Sequence, residues 1–177
     1  MAKLTDLIVN IAYKAFMNRI LDKETAGRKL RRMALEIAER NAGVRAVTLV
    51  GIKENGIHIA RQLASQLALA NITTHLIELS LNKKDPGEVQ LSGNPGSESG
   101  ILILVDDVAN SGRTMLYALK PLLDIKPAKI ETLALVERTH KRFPVSVDYV
   151  GLSISTTSNQ NIVVVVENGD VMGAYLQ

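Results

Sequence analysis

Residues 101–115 read ILILVDDVANSGRTM. Ile101, Leu102, Ile103, Leu104 and Val105 form a short, continuous apolar run, the pattern of a strand buried on both faces. Two carboxylates, Asp106 and Asp107, stand where that strand is expected to end. Small residues follow (Ala109, Asn110, Ser111, Gly112), and then Arg113 and Thr114 open a helix predicted over 114–123. Gly112 admits a close backbone approach, Ser111 and Thr114 bring hydroxyls, and the free N–H groups of a first helical turn attract phosphate. The acid pair suits hydrogen bonds from ribose hydroxyls, or a metal held through water. The alternative is an ordinary strand-to-helix turn capped by Asp and Ser, but two adjacent carboxylates closing a buried strand argue for use. The chain has neither GxxxxGK[ST] nor GxGxxG, so neither common nucleotide-phosphate loop is present.

The rest of the chain repeats this alternation. Leu4, Leu7, Ile8, Ile11, Ala12, Ala15 and Ile20 predict a helix over 4–20. Leu30, Met33, Ala34, Ile37 and Ala38 predict another over 25–40, ended by Asn41-Ala42-Gly43. Further strands are expected at 46–51, 72–80, 129–136, 148–152 and 162–166, and a helix at 57–70. Strands alternating with helices imply an α/β fold with a mostly parallel sheet flanked by helices. No repeat or interior linker divides it. Ligands of such sheets sit at the carboxyl ends of the strands. That directs attention to residues 106–114 and to GIKENG at 51–56, which otherwise reads as a βα turn with backbone freedom from Gly51 and Gly56. Residues 81–100, rich in Gly, Pro, Ser and Asn, read as a long loop.

Composition narrows the chemistry. The 177 residues are 46% hydrophobic and 22% charged, as in an ordinary globular domain. The absence of Cys excludes disulfides, thiolate metal sites, Fe–S clusters and a Cys nucleophile. Four Tyr, two Phe and no Trp leave little for stacking on unpaired bases. His58, His75 and His140 lack metal-ligand spacing. Lys3, Asp6, Lys14 and Arg19 interrupt any signal-peptide pattern, and no apolar run is long enough to span a membrane, so a cytoplasmic setting with no membrane partner is expected. A net charge of +3 admits an anionic partner.

LVDDVANSGRT (104–114) resembles the signature of the type I phosphoribosyltransferases, which bind phosphoribosyl pyrophosphate (PRPP), with Ser111 in the place of the first Thr. RRMALEIAERNAG (31–43), TLVGIKENGIHIARQLA (48–64), LALVERTHKRFPVSVDYVGLSIST (133–156) and ENGDVMGAYL (167–176) resemble stretches of one branch of that family, the bifunctional pyrimidine operon attenuation regulator/uracil phosphoribosyltransferases. The likeness spans roughly 19–175, so residues 1–18 read as an added N-terminal segment and 19–177 as the phosphoribosyltransferase domain.

The resemblance implies roles. Asp106 and Asp107 would contact the ribose hydroxyls, and Ala109, Asn110, Ser111, Gly112, Arg113 and Thr114 would hold the 5′-phosphate. Gly51, Ile52, Lys53, Glu54, Asn55 and Gly56 would bind pyrophosphate. The branch usually carries Thr-Arg where this chain has Glu54-Asn55. Residues 81–99 match a flexible hood loop that closes over the site and excludes water. There, Lys83 and Lys84 retain charge near the branch's Tyr-Arg position. Val150, Gly151, Ser153 and Ile154 fall in the region of the base pocket. The implied reaction is Mg²⁺-dependent substitution at the ribose anomeric carbon by a nucleobase, uracil in this branch, in nucleotide salvage. A homodimer or higher homo-oligomer is implied as well.

A basic surface accompanies these motifs. Residues 23–45 carry Lys23, Arg28, Lys29, Arg31, Arg32, Arg40 and Arg45 against Glu24, Glu36 and Glu39, and ERTHKR adds Arg138, Lys141 and Arg142. In the attenuator branch such regions contact leader RNA, which marks Arg28, Arg31, Arg32, Arg138, Lys141 and Arg142 as candidate RNA contacts. The competing reading is a solvated helix face with Arg32/Glu36 and Glu36/Arg40 pairs, and Leu35 stands where the branch tends to have His. The function that competes with catalysis is therefore a nucleotide-sensing RNA-binding attenuation regulator with weak or no turnover.

Overall fold

The computed structural model describes residues 18–83, 85–94, 100–157 and 160–177. Nine strands and three helices are described: β1 (Asn18–Asp22), α1 (Lys23–Arg40), β2 (Ala46–Ile52), α2 (Gly56–Leu69), β3 (Thr73–Leu81), β4 (Val89–Leu91), β5 (Ile101–Ala109), α3 (Arg113–Leu123), β6 (Lys129–Arg138), β7 (Tyr149–Ile154), β8 (Ile162–Glu167) and β9 (Asp170–Leu176). Six strands form one sheet in the order β4-β3-β2-β5-β6-β7, and β1-β9-β8 form a separate antiparallel sheet. All pairings in the larger sheet are parallel except β3 with β4.

The apolar runs are continuous because both faces of the large sheet are covered. On β5, Ile103 and Val105 pack toward α1 and α2 with Leu30, Met33, Ile37, Ile59 and Leu63. Leu102 and Leu104 face the other way, toward Met115, Ala118 and Leu122 of α3. Both α1 and α2 bury the stripes that the helical spacing indicates. The Asp22 side chain caps α1 by accepting from Thr25 N at 2.7 Å, and Gly43 follows its C-terminus at φ +87°.

Four expectations are corrected. The helix expected at 4–20 lies mostly outside the described residues, but 18–20 belong to β1, where Asn18 pairs with Leu176 and Arg19 with Tyr175. Helical spacing of apolar residues does not report a partner strand some 150 positions away. Asp106 and Asp107 do not end their strand. β6 continues beside it, so the ladder runs on through Asp106↔Ala134 and Ala109↔Glu137. Gly51 and Ile52 likewise stay in β2, opposite Glu78 and Leu79. The long 81–100 segment contains β4, which folds back on β3 with Leu79 opposite Leu91. Its three residues are too few to show periodicity. Among the described residues no helix is long and apolar enough to cross a membrane.

Candidate active site

The carboxyl ends of β5 and β6 open onto a cleft of about 810 Å³. The acid pair and residues 109–114 form one wall, and Arg138, His140, Lys141, Arg142 and Phe143 form the other. Gly112 precedes α3 at φ +82°, and a Cβ there would stand 3.1 Å from Phe143 O. The two walls are tied at Ser111, whose carbonyl accepts from Arg142 N and Phe143 N, both at 3.0 Å. The loop of 109–114 thus presents backbone N–H groups and the first turn of an eleven-residue helix toward the cleft.

Asp106 is 1% exposed and Asp107 8%. Asp107 N donates to Asp106 Oδ1 and Val108 N to Asp107 Oδ1, each at 2.9 Å. Lys83 reaches in from the start of the hood segment, with Nζ 3.5 Å from Asp106 Oδ1 and 3.6 Å from Asp107 Oδ1. Burial and the neighbouring charge of Asp107 push the Asp106 carboxyl well above its ordinary value, and Lys83 only partly opposes them. Burial pulls the Lys83 ammonium down, but the charges of Asp106 and Asp107 outweigh it and hold the group above its ordinary value. Lys84 lies outside the described residues.

This arrangement stores instability at the site. Because the folded-state value of Asp106 is raised, the native state binds more protons than the unfolded chain across that window. Its stability therefore falls as pH rises through the window, and the penalty is absent below the ordinary carboxylate range. Asp106→Asn keeps an oxygen for Asp107 N and removes the charge. We expect the variant to be more stable than wild type at pH 8, with the gap closing toward pH 4. Urea midpoints at the two pH values measure it, and a variant less stable at pH 8 would refute the assignment.

The 51–56 segment forms a second wall of the acid pair. Residues 53–55 turn between β2 and α2, with a cis peptide between Lys53 and Glu54. Gly51 and Gly56 have ordinary φ values, so their purpose is clearance and not conformational freedom. A Cβ on Gly51 would lie 2.5 Å from Ile57 Cα, and one on Gly56 2.5 Å from Val105 O. Lys53 and Glu54 are exposed and flank a smaller opening of about 400 Å³ with Asn82 and Lys83. Lys53 Nζ is 3.6 Å from Glu78 Oε1. Asn55 Nδ2 donates to Asp107 Oδ2 at 2.8 Å and to Val164 O at 3.0 Å.

Other candidates are placed elsewhere. Val150, Gly151, Ser153 and Ile154 do not line the cleft. They form β7 at the sheet edge, where the Val150 carbonyl accepts from Arg32 and a Cβ on Gly151 would sit 2.3 Å from Leu135 O. The candidate RNA contacts divide. Arg28 and Arg32 lie on α1 paired with Glu24 and Glu36, and Arg31 is exposed there. Arg40 stacks on the Tyr149 ring at 4.8 Å instead of completing a helix pair. Leu35 is 57% exposed on the same helix. Arg138, Lys141 and Arg142 line the cleft instead, and Arg138 Nη1 donates to Asn110 Oδ1 at 3.1 Å. The basic run leaving β6 at the same sheet edge as the acid pair was the sequence signal for that placement.

A mostly parallel sheet with a buried acid pair and a glycine-led turn into a helix at its carboxyl edge has the architecture of a sugar-phosphate-binding α/β protein. The phosphoribosyl transferase domain model matches residues 17–168, and the chain belongs to that family. Within it, the chain is similar to proteins named bifunctional protein PyrR. It is 39% identical over 161 residues to that of Enterococcus faecalis strain V583 (85% of this chain, 90% of the relative). It is 33% identical over 172 residues to that of Bacillus pumilus (88% and 96%). Solved structures share the fold at low identity. A hypoxanthine-guanine phosphoribosyltransferase from Bacillus anthracis has a TM-score of 0.65 at 18% identity, covering 82% of this chain and 85% of that one. A glutamic acid mutant of an HPRT reaches 0.72 at 18%, covering 88% and 93%.

Proposed function

We propose that this chain transfers the phosphoribosyl group of PRPP to uracil, releasing UMP and pyrophosphate, and that it also acts as an RNA-binding regulator of pyrimidine genes. The observation that carries the catalytic part is the buried acid pair beside the 109–114 turn, in a chain whose PyrR relatives match it over most of its length. The C1–O bond to pyrophosphate breaks, a uracil ring nitrogen bonds to C1, and that nitrogen's proton passes to solvent.

In this reading the turn at 109–114 holds the 5′-phosphate through backbone N–H groups and the α3 N-terminus. Asp106 and Asp107 accept from the ribose hydroxyls and so orient C1. The backbone N–H groups of the 51–56 turn and the Lys53 side chain receive pyrophosphate, and Lys83 exchanges its acid partners for substrate as the site fills. Mg²⁺, when bound, neutralises charge on the leaving pyrophosphate. Among the described residues no group of three ligating side chains gathers. Mg²⁺ would be held mainly by substrate phosphates and its own waters, with no side chain of the described residues ligating it directly.

The regulatory part is supported by the relatives' name and by the exposed basic face of α1 with Arg28, Arg31 and Arg32. A cytoplasmic setting and a homodimer or higher homo-oligomer complete the reading. So does the division that makes residues 1–18 an added segment.

The test incubates the full chain with PRPP, Mg²⁺ and uracil, hypoxanthine, guanine, adenine or orotate and measures nucleotide formed. Turnover with uracil above the other bases is expected. No turnover with any base, alongside retained nucleotide binding, would leave the regulator alone. RNA affinity should fall steeply with salt and favour pyrimidine-operon leader over scrambled sequence. Equal affinity for both would remove the regulatory part.

A further inference from the structure

We infer that Asn55 is a positioning residue: its side-chain amide fixes the orientation of Asp107 and thereby couples the pyrophosphate turn to the ribose-binding acid pair. The inference rests on the PRPP reading above.

Asn55 occupies the N-cap position of α2. There an Asn side chain usually accepts a hydrogen bond from the first-turn N–H groups, yet this one makes no such bond. Its backbone carbonyl accepts from His58 N at 3.0 Å and Ile59 N at 3.2 Å, while the side chain turns toward β5 and β8. Its two partners, Asp107 Oδ2 and Val164 O, are both acceptors, so the NH₂ group must face them and the amide has only one sensible orientation. One nitrogen thus joins the turn after β2 to the acid on β5 and to a carbonyl of the smaller sheet.

The approach is built into the backbone. Gly56 lets the start of α2 press against Val105 and Asp106, where any Cβ would collide with the β5 carbonyl. Asp107 is held on its other side by Val108 N on Oδ1, with Lys83 3.6 Å away. The Asn55 bond to Oδ2 therefore removes the remaining rotational freedom of a nearly buried carboxylate. A neutral donor does this without cancelling the charge that ribose hydroxyls seek. The chain thereby has a use for the neutral Asn55 that does not require it to touch pyrophosphate.

The test measures calorimetric affinity of the full chain, with Mg²⁺ present, for PRPP and separately for pyrophosphate. It compares wild type, Asn55→Ala and Asn55→Asp. PRPP affinity should fall about tenfold in Asn55→Ala, and pyrophosphate affinity by clearly less. Asn55→Asp keeps a good helix cap but sets a second carboxylate against Asp107. Its PRPP affinity should fall further than that of Asn55→Ala, because two like charges then face each other where a hydrogen bond stood. A cap-only role predicts no loss in Asn55→Asp and overturns the inference, as does equal loss of PRPP and pyrophosphate, which marks a direct pyrophosphate contact. If wild type binds PRPP but converts no base, the catalytic reading fails and the Asn55 inference stands. If wild type does not bind PRPP, both fall.

Discussion

Asp107→Asn is expected to slow nucleotide formation by roughly 10²–10³-fold, since charge-assisted hydrogen bonds to the ribose hydroxyls are worth about 1.5–3 kcal/mol each. The amide has nearly the shape of the carboxylate but presents one oxygen where Asp107 presents two. Oδ1 serves Val108 N and Oδ2 serves Asn55, and both lie at a cleft wall where substrate must also be met. The exchange gives up charge and one acceptor together. On stability the consequences oppose: one hydrogen bond is lost while repulsion against the buried Asp106 disappears. The melting temperature should stay within about 3 °C of wild type. Steady-state rates at saturating PRPP and uracil, with a thermal melt as control, measure both. Turnover within threefold of wild type would mean that the acid pair is not where ribose is held.

Gly56→Ala is expected to cost about 2–4 kcal/mol, a drop in melting temperature of roughly 5–12 °C for a domain of this size. The added carbon would lie 2.5 Å from Val105 O and 3.2 Å from Asp106 Cα. Both are backbone atoms of a central strand paired on each side, so they cannot yield as a flexible side chain would. Relief requires α2 to lift from the sheet, and Asn55 moves with it, so turnover falls too. Gly27→Ala is the control. That glycine lies within α1 with nothing near its missing Cβ, and Ala should stabilise there by about 0.5–1 kcal/mol. Scanning calorimetry of both variants measures the contrast, and a Gly56→Ala protein melting with wild type would show that the close approach is not required.

Much of this fold was legible because the elements carry their burial in their residue types. The buried stripes Leu30–Met33–Ile37 and Ile59–Leu63–Leu67 follow helical period, and β5 is apolar on both faces because helices cover both. What escaped reading was non-local. β1 is a strand only because β9 lies beside it, and β5 runs past its acids only because β6 does too. β4 exists only as the return partner of β3.

The candidate site divides in the same way. The sequence by itself determined the chemistry: an acid pair, a small-residue turn with a glycine entering a helix, a second glycine-bounded turn, and no thiol. Those are properties of residue type and short spacing. Tertiary structure alone decided which groups meet. Lys83 reaches the acid pair, Asn55 clamps Asp107, and Arg138, Lys141 and Arg142 line the cleft while Val150 and Gly151 pack against α1 and β6. A hydrogen bond of 2.8 Å between positions 55 and 107 depends on two strands lying adjacent in a sheet and on a glycine thin enough to let a helix touch it, and neither condition is written in the residues that make the bond.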